Sequence, residues 1–125
     1  MAQKKHTILL AEDDQFLQRM YATKLEQSGL EVVVAGDGAK ALELLKKKRP
    51  DVLVLDILMP KKDGFEVLKE VRADASLKNL PIIVLTNLGE ADDVRQARKL
   101  GANDYLIKAH FLPSEVMSVI EKYLT

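Results

Sequence analysis

The stretch Asp51-Val52-Leu53-Val54-Leu55-Asp56 decides how this chain is read: four aliphatic residues in a row, closed at each end by an aspartate. The run is too short for an ordinary helix, and its lack of polar alternation marks a strand covered on both faces. Four further apolar runs, Thr7–Ala11, Val32–Val34, Ile82–Leu85 and Tyr105–Ile107, read the same way. Between them the apolar residues switch to helical spacing. Leu17, Met20, Tyr21 and Leu25 form one stripe, Ala41, Leu44 and Leu45 a second, and Val67, Leu68 and Val71 a third. The longest is Leu112, Val116, Val119, Ile120 and Tyr123. Glu90–Leu100 is the poorest, offering only Ala91, Val94, Ala97 and Leu100, so a thinly packed helix is expected there.

Local punctuation agrees. Gly29 stands where the first helix should stop, and Pro50 follows the basic end of the second. Asp63 with Glu66 has the spacing of a helix cap, and Pro81 opens the fourth strand, where its missing N–H costs least. Strict alternation of strand and helix implies right-handed crossovers and a parallel sheet with helices on both faces. Five such units predict a flavodoxin-like (βα)5 doubly wound α/β fold with strand order 2-1-3-4-5, as one domain over residues 1–125. The chain contains no linker, low-complexity stretch or internal repeat.

Composition narrows the function. Nineteen basic and 19 acidic residues leave a formal net charge of zero, against the basic excess expected of a protein that grips nucleic acid or an anionic membrane. The absence of cysteine excludes disulfides, thiolate catalysis and cysteine–zinc sites. No apolar run approaches the roughly 20 residues of a membrane span, and no signal peptide precedes the first strand, so a cytoplasmic protein is expected.

In doubly wound sheets ligands bind outside the carboxyl ends of the strands. Glu12, Asp13 and Asp14 follow the first strand, Asp56 closes the third, Thr86 closes the fourth and Lys108 follows the fifth. The first three acids alone are explained by a solvated turn in which Asp14 caps the next helix. Asp56 is harder to dismiss, because a charge ending an apolar run should be half-buried and need a partner. Lys108 supplies one, but one ammonium cannot neutralise three acids. Two like charges about 4 Å apart repel by about 4 kcal/mol at an effective dielectric of about 20. Glu12, Asp13 and Asp56 should therefore attract a cation, and hard carboxylate oxygens select Mg²⁺ or Mn²⁺. A divalent ion, a lysine and a free carboxylate together suit phosphoryl transfer onto Asp56, with Thr86 bonding a phosphoryl oxygen.

Taken in order, these residues resemble the receiver domains of two-component response regulators, the chemotaxis regulators among them. The likeness runs from Thr7 to the last helix. It rests on the acids after the first strand, Asp56, Met59-Pro60-x-x-Asp63-Gly64, Leu85-Thr86, Gly101-Ala102-Asn103-Asp104-Tyr105 and Lys108. The resemblance implies Asp56 as phosphoacceptor, with Mg²⁺ held by Asp13, Asp56 and the Leu58 backbone carbonyl, assisted by Glu12. It implies Lys108 as the phosphoryl partner, Thr86 as the switch hydroxyl and Tyr105 as a rotating aromatic. The donor would be a sensor histidine kinase or a histidine phosphotransfer protein, with small acyl phosphates as a second source. The domain would catalyse only its own phosphorylation and dephosphorylation. The first helix, with Phe16 and Gln18 outside its stripe, would face the kinase. The fourth helix, fifth strand and fifth helix would carry output to an unidentified protein and hold a monomer or a weak dimer. No direct nucleic-acid or membrane contact is implied.

Two departures from the family pattern stand out. Receivers usually place a proline after the lysine in a cis peptide, whereas here the run is Lys108-Ala109-His110-Phe111. A cis bond before a non-proline costs about 2.5–4 kcal/mol, so either the bond is trans and Lys108 shifts, or the site carries strain. Leu58 and Leu88 occupy the positions that flank attacking water, where they cannot orient it, so slow self-dephosphorylation is expected. His6 and His110 read as surface histidines, and Lys46-Lys47-Lys48-Arg49 as a helix end that complements the macrodipole. A flavodoxin would need a hydroxyl- and glycine-rich phosphate loop where this chain has three acids, and a haloacid-dehalogenase-type phosphatase an aspartate at Leu58. The main rival is a receiver-like adaptor that binds partners without phosphorylation. With nothing after Thr125, the chain reads as a stand-alone regulator or an excised receiver.

Overall fold

The computed structural model describes residues 5–124, so the expected single domain over 1–125 reaches past them at both ends. Five strands, β1 (Thr7–Ala11), β2 (Glu31–Ala35), β3 (Val52–Leu55), β4 (Ile82–Thr86) and β5 (Asp104–Ile107), form one parallel sheet in the order β2-β1-β3-β4-β5. The connecting helices are α1 (Gln15–Gln27), α2 (Gly38–Lys48), α3 (Gly64–Ala73), α4 (Ala91–Lys99) and α5 (Pro113–Glu121).

Successive strand residues feed opposite faces. Leu9, Leu53, Leu55, Ile82 and Val84 meet Ala41, Leu45, Val67, Leu68, Val71 and Ala97 on one side. Ile8, Leu10, Val52, Val54, Ile83 and Leu85 meet Tyr21, Leu25, Val116, Met117 and Ile120 on the other. This double covering is why the strands read as unbroken apolar runs. It fails at the margins: β2 and β5 are edge strands, and Val34 is 41% exposed, so these two are not buried on both faces as their sequences suggest.

The helices follow their stripes except at Ala91, exposed at the start of α4, and at Leu112. Asp14, Asp37 and Asp63 each accept a backbone N–H as N-caps of α1, α2 and α3. Gly29 stops α1 at φ 87°. Leu112, expected in the α5 stripe, is instead the residue before the helix and is 65% exposed. Met117 takes the buried place, because Pro113 starts the helix one residue later and turns Leu112 outward. As expected, α4 buries only Ala97. Its far end is clasped by Arg72 of α3, whose guanidinium donates to the carbonyls of Gly101, Leu77 and Lys78 and to Asn103 Oδ1. Among the described residues no helix is long and apolar enough to cross a membrane.

Candidate functional site

Strand register builds the site. Ala11 pairs with Leu55, and the Asp56 N–H donates to the Ala11 carbonyl at 3.0 Å, so Glu12 and Asp56 leave the sheet side by side. On the other flank Thr86 pairs with Ile107, which delivers Lys108 to the same edge. Oxygens of Glu12, Asp13 and Asp56 lie within 4.8 Å of one another. Glu12 and Asp56 are buried, whereas Asp13 is exposed and gives the cluster its opening to solvent.

Lys108 reaches into this cluster with its side chain nearly buried. Its Nζ donates to Asp56 Oδ2 at 2.7 Å and also pairs with Glu12 Oε1. Burial alone would lower the lysine's pKa, but the hydrogen bonds and charges of Asp56 and Glu12 outweigh it and hold the ammonium above its ordinary value. Glu12 is pushed the same way for the opposite reason: burial raises its carboxyl pKa, and the bonds from Lys108 and the Asp14 N–H only partly offset that. No cis peptide occurs among the described residues, so the Lys108–Ala109 bond is trans. The trans bond does not displace Lys108, because Lys108–His110 coils into a 3-10 turn directly after β5 and leaves the side chain aimed at Asp56.

Thr86 is fully buried, and its Oγ1 accepts a long, 3.4 Å bond from the Leu88 N–H. The hydroxyl of half-buried Tyr105 donates to the carbonyl of that same Leu88. One residue between β4 and α4 thus touches both the threonine, through its N–H, and the tyrosine, through its carbonyl, a link the sequence does not signal because it uses backbone atoms. The Leu58 N–H donates to Asp56 Oδ1 at 3.2 Å, while the Leu58 side chain is 55% exposed. Leu58 and Leu88 line a shallow pocket with Asp13, Met59, Pro60, Asp63 and Phe65. Phe16 is 76% exposed, and the half-buried Gln18 donates from Nε2 to the Glu12 carbonyl at 2.9 Å. His6 is on the surface, 3.6 Å from Asp51. Chemically, an all-oxygen set of three carboxylates matches a hard divalent ion, and the partly solvated Asp13 leaves room for its water ligands.

A flavodoxin-like sheet with an acid–lysine centre at its carboxyl edge defines a class of signalling domain, and comparison with known proteins identifies the family. Residues 8–121 match the sequence profile of the response regulator receiver domain. The chain belongs to that family, a signalling component of two-component systems rather than an ordinary enzyme. It is 40% identical over 120 residues to the ycf27 transcriptional regulator of Guillardia theta, covering 96% of this chain and 46% of that protein. The chain spans about half the length of the curated relatives it matches. The chemotaxis protein CheY4 of Vibrio cholerae superposes with a TM-score of 0.89 at 30% identity, over 96% of this chain and 99% of that one. The Mn²⁺-bound form of response regulator Rcp1 superposes with a TM-score of 0.81 at 34% identity, over 91% and 88% of the two chains.

Proposed function

We propose that residues 1–125 form a single receiver domain that accepts a phosphoryl group on Asp56 and relays the change by protein contact. The observation that carries this reading is the Lys108 ammonium 2.7 Å from Asp56 Oδ2, beside Glu12 and Asp13. The donor is a phosphohistidine on a sensor histidine kinase or phosphotransfer protein, with small acyl phosphates as substitutes. An Asp56 oxygen attacks phosphorus in line, the P–N bond breaks, and its electron pair returns to the imidazole, which takes up a proton. Asp13, Asp56 and the Leu58 carbonyl, with Glu12 assisting, hold Mg²⁺ or Mn²⁺. When bound, the ion screens the phosphoryl oxygens from the surrounding carboxylates. Lys108 screens them from the other flank and exchanges its bond to Asp56 for one to the phosphoryl group.

The new group adds about −1.5 to −2 charge at this edge. Thr86 turns its hydroxyl toward it, Tyr105 moves into the space vacated, and α4 repacks, which shifts a population between two arrangements. The α4–β5–α5 face then engages the output protein, with the domain a monomer or a weak dimer through that face. Leu58 and Leu88 cannot orient an attacking water, so the acyl phosphate decays slowly, with the domain catalysing only its own phosphorylation and its loss.

Incubation with Mg²⁺ and acetyl phosphate tests the reading by intact-protein mass. Wild type should gain one phosphoryl group and Asp56→Ala none. A wild type that gains nothing, and is not altered by beryllofluoride, favours the constitutive adaptor. Decay of the acyl phosphate within seconds would overturn the assignment of Leu58 and Leu88.

A further inference from the structure

We infer that Gly38, in the first turn of α2, is a positioning residue for the acidic centre, acting through the loop of residues 58–63. Its consequence for ion binding rests on the function proposed above; its geometry does not. A Cβ added at position 38 would lie 2.0 Å from the Lys62 carbonyl oxygen, 2.7 Å from the Lys62 carbonyl carbon and 2.8 Å from Lys62 Cβ. Two of these atoms are backbone, so no rotamer change relieves the clash. Gly36, in the same turn between β2 and α2, has nothing within 4 Å of such a Cβ. Glycine at 38 is therefore demanded by the loop pressed against α2, not by the turn.

The loop has no slack on its other side. Gly64, which closes it, would place a Cβ 2.5 Å from the Asp56 carbonyl oxygen, and its N–H donates to the Ile57 carbonyl at 2.9 Å. Within the loop the Lys62 N–H donates to Pro60, and Lys61 holds φ 69° without being a glycine. Lys61 Nζ faces Asp37, the cap residue beside Gly38, at 3.9 Å. Leu58 ends the chain of contacts with its N–H on Asp56 Oδ1. The loop is wedged between β3 and the start of α2, so a push at Lys62 reaches Leu58 and the Asp56 carboxylate. Displacements near 1 Å at a reacting group can change rates by about 10².

The test compares amide chemical shifts and Mg²⁺ titrations of wild type, Gly38→Ala, Gly36→Ala and the double variant Gly38→Ala/Lys61→Gly. Gly38→Ala should move the amides of Asp56 and residues 58–63 and weaken Mg²⁺ binding roughly tenfold, while Gly36→Ala changes neither. Lys61→Gly lets the loop yield, so the double variant should recover much of the affinity, which a defect confined to α2 would not permit. Should Gly38→Ala alone fail to fold, the double variant is compared with Lys61→Gly alone. Unmoved loop amides, or moved amides with unchanged Mg²⁺ affinity, would overturn the inference. A wild type that binds no Mg²⁺ overturns the reading of the acidic centre instead, and the amide shifts alone then decide whether Gly38 sets the loop.

Discussion

Helices α3 and α4 flank the acidic centre on successive strands, and they are built to opposite standards. The first begins at a capping aspartate, sits Gly64 against Asp56 and Ile57 just past β3, and buries Val67, Leu68 and Val71 completely. The second begins at Glu90 with no side-chain cap and buries only Ala97. Both have exposed polar faces; the difference lies in the apolar stripe and the cap, three buried aliphatic residues in α3 against one alanine in α4. One side of the centre is a frame and the other rests on few contacts, as the repacking proposed for α4 requires.

The sharpest way to break this contrast is truncation of matched side chains. Leu68→Ala removes a fully buried side chain and should cost about 2–5 kcal/mol in urea denaturation. Val94→Ala, on the half-buried face of α4, should cost under about 1 kcal/mol. Equal costs would mean α4 is as firmly packed as α3. The caps give a smaller contrast by the same measurement. Asp63→Ala deletes the bond from the Glu66 N–H and should cost about 0.5–2 kcal/mol, whereas Glu90→Ala should stay within about 0.5 kcal/mol. Hydrogen exchange sharpens the same point without mutation: α4 amides should exchange faster than those of α3.

The smallest expected effect concerns the end of α5, where the Tyr123 hydroxyl donates to Asp104 at 2.5 Å. That bond, together with burial, raises the phenol from 10.0 to about 12. The folded state thus favours the protonated phenol, and the bond's contribution is complete below pH 10 and lost as pH rises through about 12. Tyr123→Phe should be less stable than wild type at neutral pH, and the gap in melting temperature should close across that window. A gap independent of pH would assign the tyrosine to packing alone.

Much of this was legible in the residues. The apolar runs located the strands because both sheet faces are covered, and alternation with helical stripes gave the strand order. Asp56 and Lys108 were legible because a charge closing an apolar run must find a partner. What escaped depends on shape or on backbone. Edge exposure of β2 follows from topology, which Val32–Val34 alone cannot express. Leu112 fits the stripe by spacing, yet Pro113 sets where α5 starts. Gln18 reads as surface until its amide is found on the Glu12 carbonyl. The Leu88 backbone bonds and the Gly38 contact have no side-chain signature at all.

The pairing of Ala11 with Leu55 and of Thr86 with Ile107 has one more consequence. The acids and the lysine are drawn from positions 12, 13, 56 and 108, so no fragment shorter than residues 12–108 contains them all. During folding this cluster cannot assemble until the last strand docks, since contacts so distant in sequence close late. A half-made copy therefore has no such cluster; the acid–lysine centre arrives together with the completed sheet.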